Sequence, residues 1–140
     1  MDTLPFIQNV AFDLDLTGSD DNYIYFTPNI LTSLNTNPFL SENRFTDIEY
    51  SYRDNWSVFS TFTIPAGYKI DGVPKSLSIV MPDKSITFKR IVNQADQIIT
   101  VRYVIDHVKS IYFKEDYSDF REFNRQMYEM LNEQIVLKKS

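Results

Sequence analysis

The sequence predicts a mostly β protein, an antiparallel β-sandwich of about seven to nine strands with one amphipathic C-terminal helix packed on it. Three observations carry this. Apolar and polar residues alternate along much of the chain, the period of a strand with one buried face. Clusters of Gly, Pro, Asn and Asp recur between those runs as turn signals. Only beyond Asp116 does the apolar spacing change to steps of three and four, which is the period of a helix.

Val10, Phe12, Leu14 and Leu16 alternate with Asp13, Asp15 and Thr17. The polar cluster Gly18–Asn22 and the run Tyr23–Phe26 follow, so the pair reads as a hairpin. Pro28, Asn29, Asn35, Asn37 and Pro38 break any sustained pattern, leaving room for a short helical turn around Ile30 to Leu34. Ile48, Tyr50 and Tyr52 share one parity of a strand that starts at Phe45, and Asp54-Asn55 is a turn signal. Trp56, Val58, Phe62 and Ile64 share the next parity, with Ser60 the polar exception. Pro65-Ala66-Gly67 fits a turn with proline at its second position. Tyr68–Ile70 is short and extended, and Val73 is held extended by Pro74.

Leu77, Ile79 and Met81 share a strand face, and Pro82-Asp83-Lys84 turns the chain. Ile86 and Phe88 begin a strand that a polar turn, Gln94 to Gln97, joins to Ile99, Val101, Tyr103 and Ile105. Phe120, Phe123, Met127 and Leu131 then mark the helix. Asp116 or Ser118 is placed to cap it by accepting a backbone N–H bond. Asp119 and Glu122 sit toward the end of the helix dipole that favours negative charge. Ile135–Leu137 is a short closing strand.

With 140 residues, 43% of them hydrophobic, the chain is one domain, 1–140, that buries a core without staples. Its 14 basic and 19 acidic residues leave a net charge of −5, which excludes the basic footprint of a nucleic-acid binder and disfavours an anionic membrane surface. There is no cysteine, so disulfides, a thiol nucleophile and cysteine metal sites are excluded. No apolar run reaches the ~18 residues of a membrane span. Met1–Gln8 lacks the basic start and apolar stretch of a signal peptide.

Few residues invite chemistry. His107 is the sole histidine, and Asp106, adjacent on a strand, points to the opposite face, so a triad is not expected. Asp13-Leu14-Asp15-Leu16-Thr17-Gly18 has the opening spacing of a calcium loop, but Ile24 stands where a bidentate Glu belongs. The Asp20-Asp21 turn is a looser candidate. Trp56 with Tyr23, Tyr25, Tyr50 and Tyr52 would make an aromatic platform for a sugar ring, although the parity of Trp56 points it to the core. Phe120 and Phe123 read as core, and Glu129 and Glu133 as a solvated helix face. No catalytic, cofactor or metal residue is assigned.

The run Phe62–Pro74, the segment Asn37-Pro38-Phe39 with Arg44 and the Asp47–Tyr50 strand, the helix start Glu115–Phe123 and the tail Ile135–Lys139 together resemble a known family. It is the domain of unknown function that closes many bacterial transglutaminase-like proteins, after a β-rich N-terminal domain and a papain-like core. The resemblance covers residues 37–139, and residues 1–36 are an initial hairpin or approach segment. It implies a noncatalytic accessory domain of a larger exported protein, hence a periplasmic or extracytoplasmic site, packing on or positioning the upstream core as its partner. It implies no activity here, because the family's catalytic residues belong to that core. The alternative is a β-sandwich module that binds carbohydrate or cell-wall material. No cofactor is expected, and the isolated chain should be a monomer or at most a weak dimer. The apolar residues Leu4–Ile7 are the expected contact region.

Overall fold

The structure, a computed structural model, describes residues 11, 16, 19–30 and 32–140. The strands in chain order are β1 (Tyr23–Phe26), β2 (Ile48–Glu49), β3 (Asn55–Thr63), β4 (Tyr68–Gly72), β5 (Leu77–Val80), β6 (Ile86–Ala95), β7 (Ile98–His107), β8 (Ile111–Tyr112) and β9 (Ile135–Lys139). A single 3-10 turn, Lys114–Asp116, leads into helix α1 (Tyr117–Leu131). The expected class is the observed one: nine strands in antiparallel sheets and one helix near the C-terminus.

The largest sheet has the order β3-β7-β6-β5. Its spine is the hairpin β6–β7, in register from Ile86↔His107 to Ala95↔Ile98. On β6 and β7 the alternation is strict: Ile86, Phe88, Ile99, Val101, Tyr103 and Ile105 are all buried. Phe88 and Tyr103 stack with ring centroids 5.9 Å apart. The second sheet, β1-β9-β4, and the ribbon β2-β8 complete the β structure. Ile135 and Leu137 of β9 and the helix residues Phe120, Phe123, Met127 and Leu131 join the same core. The helix stripe therefore reads as its spacing predicts.

Several details differ from the sequence reading. The strand expected over residues 10–16 lies outside the described residues apart from Ala11 and Leu16, neither of which is in regular structure. The partner that the structure records for β1 is β9, more than one hundred residues later. The helical turn at Ile30–Leu34 does not form among the described residues. Asn29 instead donates to Leu34 O at 2.8 Å and Thr32 bonds Asn29, while Ser33 adopts φ 60°. The strand from Phe45 to Arg53 shrinks to Ile48–Glu49, since only the two-residue β8 pairs with it. Asn55 opens β3 rather than closing a turn.

At residues 65–68 proline takes the first turn position. Tyr68 N donates to Pro65 O, and Gly67 supplies the positive φ of 87° that only glycine adopts freely. The β6–β7 ladder runs past Gln94 to Ala95, leaving the two-residue turn Asp96-Gln97. No side chain of Asp116 or Ser118 caps α1, because the 3-10 turn feeds straight into it. Ile135–Lys139 is the central strand of its sheet rather than a terminal fringe.

Truncating a buried Phe to Ala costs about 3–5 kcal/mol. Phe123 is buried, whereas Glu122 bonds only surface partners on its own helix, Arg125 and Gln126. Phe123→Ala should lower the urea midpoint strongly and Glu122→Ala should hardly move it. Equal, small changes would mean that the helix does not pack as described.

Candidate functional site

His107 closes β7 with its ring held in place. Its backbone N–H donates to Asp54 O and to Asn55 Oδ1, and its Nδ1 lies 2.8 Å from Asp54 O. The ring packs beside Tyr50 and Tyr112, at 5.7 and 6.3 Å between centroids. The nitrogen that an orienting carboxylate would hold in a triad is thus bonded to a main-chain carbonyl. Asp106 stands in register with Asn55 and Thr87 rather than against the ring.

Most of the Asp13–Gly18 segment lies outside the described residues. Asp20 spends Oδ1 on its own turn, accepting from Asn22 N and Tyr23 N at 2.7 and 2.8 Å. Among the described residues no three His, Cys, Asp or Glu side chains gather in a way that could hold a metal ion.

The five aromatic candidates are divided among separate places. Trp56 is half-buried against the core, Tyr50 leans on His107 and Tyr112, and Tyr52 is 69% exposed. Tyr23 and Tyr25 lie side by side on β1, 6.0 Å apart, with Lys138 Nζ 5.8 Å from the Tyr23 ring. Glu129 and Glu133 also part company: Glu129 pairs with Arg125 at 2.6 Å, and Glu133 with Arg90 at 3.1 Å.

The residue that sequence reasoning missed is Arg90. It sits on the inward parity of β6, after Ile86 and Phe88, and is only 2% exposed. Its guanidinium donates to Lys75 O at 2.8 Å, to Met130 O at 2.6 Å and to Glu133 Oε2 at 3.1 Å. A charge in the apolar parity of a strand was the available signal, since a buried arginine requires partners. Beside it the Tyr103 hydroxyl is buried with no partner among the described residues.

Burial pushes the Tyr103 phenol up to about 12, with Arg90 opposing and Glu133 reinforcing. Burial also pushes Tyr112 up to about 12, against a nearby Ser85 hydroxyl. On the helix surface, hydrogen bonds from Arg125 and Gln126 hold Glu122 down to about 2.

Hollows flank the core among the described residues. A polar groove of about 510 Å³ runs between Asn35–Asn37 and the α1 side chains Arg125 and Glu129, with Glu133 just beyond the helix. An apolar hollow of about 350 Å³ lies between β1 and β3, lined by Ile24, Phe26, Phe62 and Leu137. Around the β2-β8 ribbon several apolar side chains face water: Phe45 is 87% exposed and Phe113 55%, with Leu40 and Ile111 also exposed. Leu4–Ile7, the expected contact region, lies outside the described residues. No described helix is long and apolar enough to cross a membrane.

The class that the fold defines is a mostly β domain of antiparallel sheets with one helix near its C-terminus. Residues 22–137 match the family described as Domain of Unknown Function with solved-structure structure (DUF3858), and the chain belongs to that family. Its fold is similar to part of a crystal structure described as a "putative protease" from Parabacteroides distasonis, with a TM-score of 0.67 at 19% identity. That likeness covers 86% of this chain and 24% of the other. No curated protein matches the chain.

Removing one partner of a buried, hydrogen-bonded charge costs about 3–5 kcal/mol, whereas a pair open to water is worth about 0–1 kcal/mol. Because Glu133 is half in water and two of the Arg90 acceptors are main-chain carbonyls, Arg90→Ala should destabilise by the larger figure and Glu133→Gln by the smaller. Equal losses in chemical denaturation would place the anchor in the ion pair. The tyrosines set an alkaline limit. Their folded values lie above the ordinary 10, so their contribution to stability is complete below pH 10 and lost as the pH rises through about 12. Phenolate absorbance should show Tyr103 and Tyr112 ionising together with unfolding. Their ionisation near pH 10 in folded protein would contradict this burial.

Proposed function

We propose that this chain is a noncatalytic accessory domain of a larger exported bacterial protein, and that it packs on or positions a transglutaminase-like core preceding it. The observation that carries this reading is that the same fold forms 24% of a much longer chain in the Parabacteroides protein. The exposed apolar side chains Phe45, Ile111 and Phe113 around the β2-β8 ribbon support it, because large apolar patches on a surface mark contact with a partner. Tethering supplies an effective concentration on the order of mM, so a modest interface suffices and the domain binds its neighbour weakly in trans. The main-chain partner of the His107 ring supports a noncatalytic role.

A second reading, carbohydrate binding, is favoured by one specific observation: the paired rings of Tyr23 and Tyr25 beside Lys138. Sugars stack on such rings through their apolar faces.

Two measurements test these readings. Acyl-donor, amine and peptide substrates should turn over at background rates with the isolated chain, and turnover abolished by His107→Ala would overturn the noncatalytic role. In an NMR titration with the separately expressed core, shifts should cluster at Phe45, Ile111 and Phe113. Unchanged spectra at millimolar core, with clear shifts at Tyr23 and Tyr25 on adding a cell-wall oligosaccharide, would favour the second reading.

A further inference from the structure

The four-stranded sheet ends in β3, and β3 pairs with β7 alone among the described residues. The ladder ends show which way its backbone faces. Ile64 N donates to Gln97 O at 2.7 Å, and His107 N donates to Asp54 O at 3.1 Å. In an antiparallel pair hydrogen-bonded residues alternate, so the even-numbered residues of β3 bond to β7. The N–H and C=O groups of Asn55, Ser57, Phe59, Thr61 and Thr63 therefore point away from β7, to the side where β3 has no partner among the described residues.

Proteins blunt such edges with short strands, charges, proline or bulges. The other outer strands here carry these devices. β1 and β5 have four residues each, and the helix also lies near β5. β4 holds Lys69 and Asp71 and has a register shift between Ile70 and Gly72. β3 has none: it is nine residues long, Asn-Trp-Ser-Val-Phe-Ser-Thr-Phe-Thr, and among the strands longer than five residues it alone has no charged residue. Phe59, at its midpoint, is 65% exposed.

We propose that β3 is the interface of a twofold dimer, in which a second copy of this chain adds its own β3 antiparallel to the first and makes one continuous eight-stranded sheet. The strand is self-complementary about its centre. A dyad at Phe59 sets that ring opposite the partner's Phe59, an aromatic cross-strand pair. It sets Ser57 opposite the partner's Thr61 and Asn55 opposite the partner's Thr63, all small and neutral. On the inner face Trp56 meets the partner's Phe62, and both side chains are only half-buried in one copy. The open N–H and C=O groups of the odd residues pair with one another, as a closed twofold interface requires. The nearest like charges across the dyad on these strands, Arg102 of each copy, are three strand spacings apart, about 14 Å. That exceeds the screening length of about 8 Å at physiological salt. This inference is independent of the accessory-domain reading, whose contact lies at the β2-β8 ribbon.

Sedimentation equilibrium of the full chain tests it with Phe59→Lys, Phe59→Glu and their equimolar mixture, each checked for an unchanged urea midpoint. Wild type should dimerise, and either variant alone should weaken association about tenfold or more, because like charges then face each other at the dyad. Mixing the two should restore the dimer, since Lys then faces Glu. A wild-type chain that stays monomeric at millimolar concentration would mean that the edge is unoccupied or held by another segment, and would overturn the proposal. So would a dimer insensitive to both substitutions, or folded variants that fail to associate when mixed.

Discussion

Arg90 ties together three parts of the chain that are far apart in sequence. From the inward face of β6 it reaches the carbonyl of Lys75 just before β5, the carbonyl of Met130 in the last turn of α1, and Glu133 beyond the helix. The last carbonyls of a helix have no partner within it. Here a buried guanidinium supplies one, and a cation at the helix C-terminus also suits the dipole. The consequence is positional. With the end of α1 fixed over the sheet, the short link to Ile135 delivers β9 between β1 and β4, so the second sheet depends on where the helix stops. Tyr103 stands opposite Arg90 in the β6–β7 ladder and is buried beside this charge.

Several polar groups are engaged by the fold: Arg90 by carbonyls, Asn124 by Phe120 O, and the part-buried His107 by Asp54 O. Exposed apolar side chains lie around the β2-β8 ribbon, and the uncharged strand β3 ends the four-stranded sheet among the described residues. The two lie on different elements, so the proposed contacts with a linked neighbour and with a second copy do not compete for one surface.

Much of this was legible beforehand. The alternation on β6 and β7 named the buried residues Ile86, Phe88, Ile99, Val101, Tyr103 and Ile105, because a strand packed on a core by one face buries every second side chain there. Phe120, Phe123, Met127 and Leu131 marked the helix for the same reason at a different period. The signals failed where local pattern and long-range pairing disagreed. Ile48, Tyr50 and Tyr52 alternate as a strand does, yet only two residues find a partner, and Tyr52 is left in water. Trp56, Tyr23 and Tyr50 looked like one aromatic platform, but they belong to elements that the sheets hold apart. Arg90 was visible as a charge in an apolar parity, but its partners were not.

The sequence by itself determined the class, mostly β with one amphipathic helix, and a net charge of −5. Those properties follow from periodicity and composition, which each segment carries locally. Only the tertiary structure decided that β9 is a central strand flanked by β1 and β4, and that Arg90 caps the helix from across the sheet. It also decided that, among the described residues, β3 pairs with β7 alone and its odd-numbered backbone groups face away from that partner. These are facts of pairing between distant segments. A strand's alternation says which face is buried and is silent on which neighbour lies beside it.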